Sequence, residues 1–238
     1  MTSLDFIDLY CERTAAGFWN EPVNAISNLG FVLVAIVAWR VAKRRCDPSA
    51  DLLELVLFVL AALIGVGSFL FHTLANSRAE LADVIPIWSF VGLYVFTVIY
   101  RSTGQNILKT SRIAVIALII TGSVFWFTSG EVITNQQASD HSADRFNGSL
   151  QYLPALVALA GFGFIAVLRR HPARVMIVGA AVTFTLSLVM RSVDLIACDA
   201  TGIGTHFLWH LLNALMVGIL LIALVKEYPP ASAGKRTA

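Results

Sequence analysis

Charge is the scarce commodity in this chain. Of 238 residues only 13% are Asp, Glu, Lys or Arg, while 57% are hydrophobic. A water-soluble domain of this length needs more charge to keep its surface wet, so that class is excluded. There is no basic patch interleaved with aromatics, which excludes a nucleic-acid surface. The net charge is only +2. The N-terminus carries Asp5, Asp8 and Glu12 and has no basic leader, so it does not read as a cleaved signal peptide. No long soluble segment and no internal repeat interrupts the chain, and a single domain over 1–238 is expected.

What is present in quantity is apolar runs of about 20 residues, the length at which a helix crosses roughly 30 Å of hydrocarbon. Seven such runs are predicted: 23–42, 52–72, 81–100, 113–129, 151–168, 175–194 and 205–225. Backbone polar groups cannot stay unpaired in lipid, so runs of this kind are helices or barrel strands, and their length and continuity select helices. The expectation is therefore an all-α integral membrane protein, a seven-transmembrane helix bundle. Residues 1–22 form an outer N-terminal segment and residues 226–238 a tail.

Basic residues orient the bundle. Arg40, Lys43, Arg44 and Arg45 follow the first run; Arg101, Lys109 and Arg112 the third; Arg169, Arg170 and Arg174 the fifth; Lys226, Lys235 and Arg236 the last. The other side carries only Arg13, Arg78 and Arg145, and Arg191 lies within the sixth run. This bias places the C-terminus in the cytoplasm and the N-terminus outside. All four lysines fall outside the runs, so no buried amine is available for a retinal Schiff base. The longest outer loop, 130–150, is polar and contains an Asn147-Gly148-Ser149 sequon, a triplet common by chance.

Histidines carry the functional signal. His141 and His171 sit in loops and read as solvated surface residues. His72 ends the second run, whereas His206 and His210 open the seventh, so all three lie at the outer membrane face. His206 and His210 are four apart and share one helical face, about 6 Å apart along the axis. Packing or interfacial anchoring explains such a pair as readily as metal binding. A third histidine at the same depth favours a metal, because three protein ligands plus water is the usual catalytic zinc arrangement.

Ser68, four before His72, shares its face. Asp83 sits where the third run begins; it is either a functional carboxylate at the membrane face or a helix N-terminal charge favoured by the dipole. Pro86 fits the start of the same helix. Zinc lowers the pKa of a water, a carboxylate moves its proton, and a hydroxyl steadies an oxyanion. Arg191 and Asp194, three apart, read as an internal salt bridge or as contacts to a lipid headgroup.

These residues lie in three blocks that resemble the alkaline ceramidase family, within the wider group of membrane hydrolases that includes the progestin and adipoQ receptors. The blocks are DLYCERTAAGFWNEPVNAISNLGF (8–31), GSFLFH (67–72) with Asp83 and Pro86 downstream, and RSVDLIACDATGIGTHFLWHLLNAL (191–215). They run in family order and, with the spans, cover nearly the whole chain. The resemblance implies zinc ligands at His72, His206 and His210, and a catalytic serine and aspartate at Ser68 and Asp83. It implies a Cys11–Cys198 disulfide, and it leaves Cys46 as a free thiol in a cytoplasmic loop.

It also implies a calcium site from Glu12 and Glu21, with Asp8 and the Tyr10 carbonyl beside them. This chain departs there, since the stretch from Cys11 to Glu21 is shorter and Thr14 stands where an Asn ligand is expected. The implied activity is hydrolysis of ceramide or a close N-acyl lipid near the extracytoplasmic face. A lipid-binding receptor with little turnover is the alternative. A transporter is disfavoured, because its ionisable residues belong near the midplane.

Overall fold

The computed structural model describes residues 7–45, 51–116, 119, 122–123 and 146–230. Every regular element in them is helical. The elements are α1 (Pro22–Ser27), α2 (Leu29–Lys43), α3 (Leu52–Leu74), α4 (Ser77–Ser102), a 3-10 turn (Ser149–Tyr152) leading into α5 (Leu153–Leu168), α6 (Arg174–Ser192), the short α7 (Cys198–Thr201) and α8 (His206–Glu227). With α1 and α2 read through Asn28 as one span, six helices among the described residues are long and apolar enough to cross a membrane. Helix also covers 107–116. Most of the predicted 113–129 run lies outside the described residues, as do Cys46, His141 and most of the outer loop.

Helix α8 is the most buried of the six and packs between α2 and α6; α3 packs on α2 and α4, and α5 on α6. Phe31, Leu57, Ala61, Ile64, Val217 and Leu221 form the centre of the core. Leu33, Val59, Leu63, Phe164 and Val182 point outward and stay exposed. An apolar exterior around an apolar core is what a lipid-solvated bundle requires.

The end of the bundle where α2 and α4 finish is tied by charge. Glu54, fully buried on α3, accepts from Arg45 and, at 2.8 Å, from Arg101. Arg101 also donates to Asp51 and to the Tyr228 carbonyl that follows α8. A buried carboxylate needs such partners. This cluster holds α3, α4 and α8 together at the end opposite the histidines.

The third span starts earlier than its hydropathy suggested. Asn76 caps α4, its side chain accepting from the Ala79 N–H at 3.0 Å, so the polar residues Ser77, Arg78 and Glu80 already belong to the helix. Pro86 is therefore not at the helix start but inside it. Proline has no N–H for the carbonyl four residues back, which leaves the Ala82 carbonyl free of that bond. Gly67 of α3 packs directly against the Ala82 carbonyl. A proline on one helix and a glycine on the next thus bring two backbones together between Ser68 and Asp83.

A methyl group at Gly67 would lie 2.7 Å from the Ala82 carbonyl carbon and 3.1 Å from the Asp83 Cα. Gly67→Ala should lower stability by roughly 1–3 kcal/mol. Gly92→Ala on α4, where the methyl meets nothing within 4 Å, should be neutral or mildly stabilising. Equal melting temperatures for the two variants would refute the close approach.

Candidate active site

Two spans bring three histidines together at one end of the bundle. His72 comes from the last turn of α3, and His206 and His210 come from the first two turns of α8. All three imidazoles are buried, at 1%, 1% and 3% exposure. Their ring centroids are 4.6–5.3 Å apart, and one ligand atom from each lies within 4.8 Å of the others, close enough to share one metal ion.

Hydrogen bonds fix which nitrogens face inward. The Glu21 carboxylate accepts from Nδ1 of His72 at 2.5 Å. Ser27 donates to the Asn24 carbonyl at 2.7 Å, and Nδ1 of His210 lies 2.8 Å from Ser27 Oγ and 3.3 Å from Nδ2 of Asn28. The Nδ1 atoms of His72 and His210 are thus held by protein groups, and their Nε2 atoms turn inward and face each other 3.1 Å apart. Two nitrogens on one tetrahedral zinc, at 2.0–2.1 Å from the metal, sit about 3.3 Å apart. The buried Nδ1 of His206 has no hydrogen-bond partner among the described residues, and the ring stacks on Tyr10 at 3.6 Å. The donor set fits zinc.

Ser68, one helical turn before His72, is buried and faces Asp83 across the α3–α4 contact. Asp83 is the seventh residue of α4, beyond the first turn where the helix dipole acts. A buried Asp83 oxygen lacks a hydrogen-bond partner among the described residues. Both side chains line a cavity that also touches His206 and His210. The cavity continues along α4 from Asp83 to Val98, about 22 Å of helix. Its walls are apolar, with Ile64, Ile87, Phe90, Leu159 and Met216 among them. Such a chamber accepts an extended hydrocarbon chain while its polar end stays at the histidines.

Arg191 and Asp194 do not bridge each other as their spacing suggested. Helix α6 ends at Ser192, so Asp194 lies past the last turn and points elsewhere. Its Oδ1 accepts from the backbone N–H groups of Thr205 and His206, at 2.7 and 2.9 Å, and its Oδ2 from Cys11 N–H at 3.0 Å. It therefore holds the start of α8, and with it His206. Gly204, at φ +67°, packs its backbone on this carboxylate. Arg191 turns the other way, donating to the Tyr10 hydroxyl at 3.0 Å and to the Asn147 carbonyl at 2.9 Å. Its guanidinium lies over the rings of Tyr10, Tyr152 and Trp209. Burial raises the Tyr10 phenol well above its ordinary pKa despite Arg191, so it stays a neutral hydroxyl.

The N-terminal segment closes this end of the bundle. Cys11 and Cys198 form a disulfide with Cα atoms 5.5 Å apart, tying the segment to α7. The calcium site implied for its acidic residues finds no support in their contacts. Glu12 spends both oxygens on the Val23 and Asn24 N–H groups at the start of α1, and burial pushes its carboxyl up despite them. Burial acts on Glu21 in the same sense, but His72, Asn24 and Arg13 outweigh it and hold the carboxyl below its usual range. Asp8 is exposed, and the Tyr10 carbonyl accepts from Arg13 N–H at 3.2 Å. Calcium takes six to eight oxygens; the carboxylates of Glu12 and Glu21 are already committed.

Sequence reasoning missed the supporting residues of His210. Asn24, Ser27 and Asn28 sit at i, i+3 and i+4 on an apolar span, and a polar stripe there was the available signal. His171, read as solvated, is half-buried; it stacks on Tyr228 and accepts from Ala173 N–H at 3.1 Å.

No curated protein matches the chain. A family model described as Ceramidase matches residues 9–229, which includes every residue of the histidine centre and its cavity. The family's members act as hydrolases on lipid amide bonds, and by this match the chain belongs to the ceramidase family.

Proposed function

We propose that this protein is a zinc-dependent amidase that cleaves ceramide, or a close N-acyl lipid, into a fatty acid and a long-chain amine. The observation that carries the reading is three buried imidazoles whose ligand atoms lie within 4.8 Å of one another, with His72 Nε2 and His210 Nε2 3.1 Å apart, at the head of a long apolar chamber. Zinc held by His72, His206 and His210 would polarise the amide carbonyl and bring a water's pKa toward neutrality. Asp83 takes the proton from the attacking water and returns it to the leaving nitrogen. Ser68 donates its hydroxyl to the oxygen on which negative charge develops. The chamber between α4 and α8 holds the acyl chain and excludes water from it. Arg191, packed among three aromatic rings at the mouth, stands where the polar headgroup enters.

The topology that fits this reading has seven spans, with 113–129 as the fourth. The N-terminus then lies outside and the C-terminus in the cytoplasm. Basic residues gather at the end opposite the histidines, which supports placing the site near the extracytoplasmic face.

The test is fatty-acid release from a panel of N-acyl lipids by purified protein, zinc-loaded and chelator-treated. Release that stops on chelation and returns with zinc is expected. A zinc-loaded protein that binds these lipids yet releases nothing would turn the reading toward a lipid receptor.

A further inference from the structure

Within the acidic N-terminal segment stands one buried cation of the protein's own. Arg13 has only 1% of its side chain exposed, and Glu21 only 3%. Arg13 Nε donates to Glu21 Oε1, and a second guanidinium nitrogen donates to the His72 main-chain carbonyl at 2.7 Å. The other Glu21 oxygen accepts from Nδ1 of His72 and, at 3.1 Å, from the Asn24 side chain. One guanidinium therefore touches the carboxylate that orients His72 and the backbone that carries it.

We propose that Arg13 does in this chain the work that calcium would do: it neutralises Glu21, orients His72 through it, and makes the metal centre independent of calcium. The inference rests on His72 being a metal ligand, as the proposed function holds.

Three physical points support it. A buried carboxylate needs a compensating charge, and the arginine supplies one that is never lost by deprotonation. Its planar fork reaches two acceptors at a fixed angle, which a spherical ion at the same place would not dictate. A second cation among these carboxylates would meet the guanidinium at close range in a low dielectric, where repulsion is large. Partners that orient a ligating imidazole typically change metal affinity by about 10- to 100-fold when removed. Arg13 is a positioning residue, acting on the metal only through Glu21 and His72.

The experiment has two arms. In the first, zinc-loaded wild-type protein in calcium-free buffer is titrated with calcium, following heat and melting temperature. No binding heat and no shift at millimolar calcium are expected; saturable binding with a raised melting temperature overturns the proposal. In the second, zinc affinity is measured by chelator competition for Arg13→Gln, Arg13→Lys and Glu21→Gln.

Arg13→Gln and Glu21→Gln should each weaken zinc by about 10- to 100-fold, and the double variant should lose no more than either alone. Arg13→Lys keeps the charge but loses the fork, so it should fall between wild type and Arg13→Gln. It also serves if Arg13→Gln does not fold. Zinc affinity in folded Arg13→Lys and Glu21→Gln equal to wild type overturns the positioning role. Retention of zinc by His72→Ala would instead remove the metal-centre reading, while the calcium arm would still report on Arg13.

Discussion

Asp83→Asn should keep its zinc and its melting temperature while turnover falls by about 10²–10⁴-fold, the usual contribution of general acid–base catalysis. Asn has nearly the shape of Asp, so the α3–α4 contact over Gly67 and Ala82 survives the change. Ser68 faces the carboxyl, and one of the carboxyl oxygens is buried without a hydrogen-bond partner among the described residues, whereas both oxygens of Asp194 and of Glu12 are taken by backbone N–H groups. Ser68→Ala belongs to the same series. It should retain zinc and lose on the order of 10²–10³ in turnover if its hydroxyl steadies the oxyanion. A structural Asp83 predicts the opposite pattern, a lower melting temperature with near-normal turnover in the folded fraction. Zinc content, thermal stability and fatty-acid release on the same preparations separate the two. Normal turnover in folded, zinc-loaded Asp83→Asn would leave the reaction without a named base.

The second large effect is expected from the histidines of α8. His206→Ala/His210→Ala should take zinc from about one per chain, the content of a three-ligand site, to near none, and activity should go with it. The variant removes two of three nitrogens and leaves His72 Nε2 alone. Its fold should persist, because α8 is also held by Asp194 at its start and by packing along Val217, Leu221 and Leu224. Elemental analysis of purified protein, beside a circular-dichroism melt, gives the answer. Full zinc retention in the double variant would sink the site.

The spans were legible because hydrophobic length is a one-dimensional property. Six of the seven predicted runs match helices to within about a turn, and most of the remaining run lies outside the described residues. The start of α4 was not legible, since a polar first turn capped by Asn76 at the membrane edge has no hydropathy signal. With that start displaced, Pro86 was misplaced too. Its place inside the helix, opposite Gly67, becomes meaningful only when two helices are seen side by side.

The sequence by itself determined a helical membrane chain, three histidines at one depth, and Ser68 and Asp83 at the same end. Each follows from periodicity or from position along a span. Tertiary structure decided the partners. Arg191 and Asp194 are three residues apart, yet they separate because α6 stops at Ser192, and spacing predicts contact only while a helix continues. The family resemblance implied that Glu12 and Glu21 are co-ligands of one ion. In space Glu12 caps α1, whereas Glu21 reaches His72, 51 positions away, with Arg13 between them and the backbone of α3. Buried polar groups take whichever partner the packed helices bring within about 3 Å, and that choice is made in three dimensions.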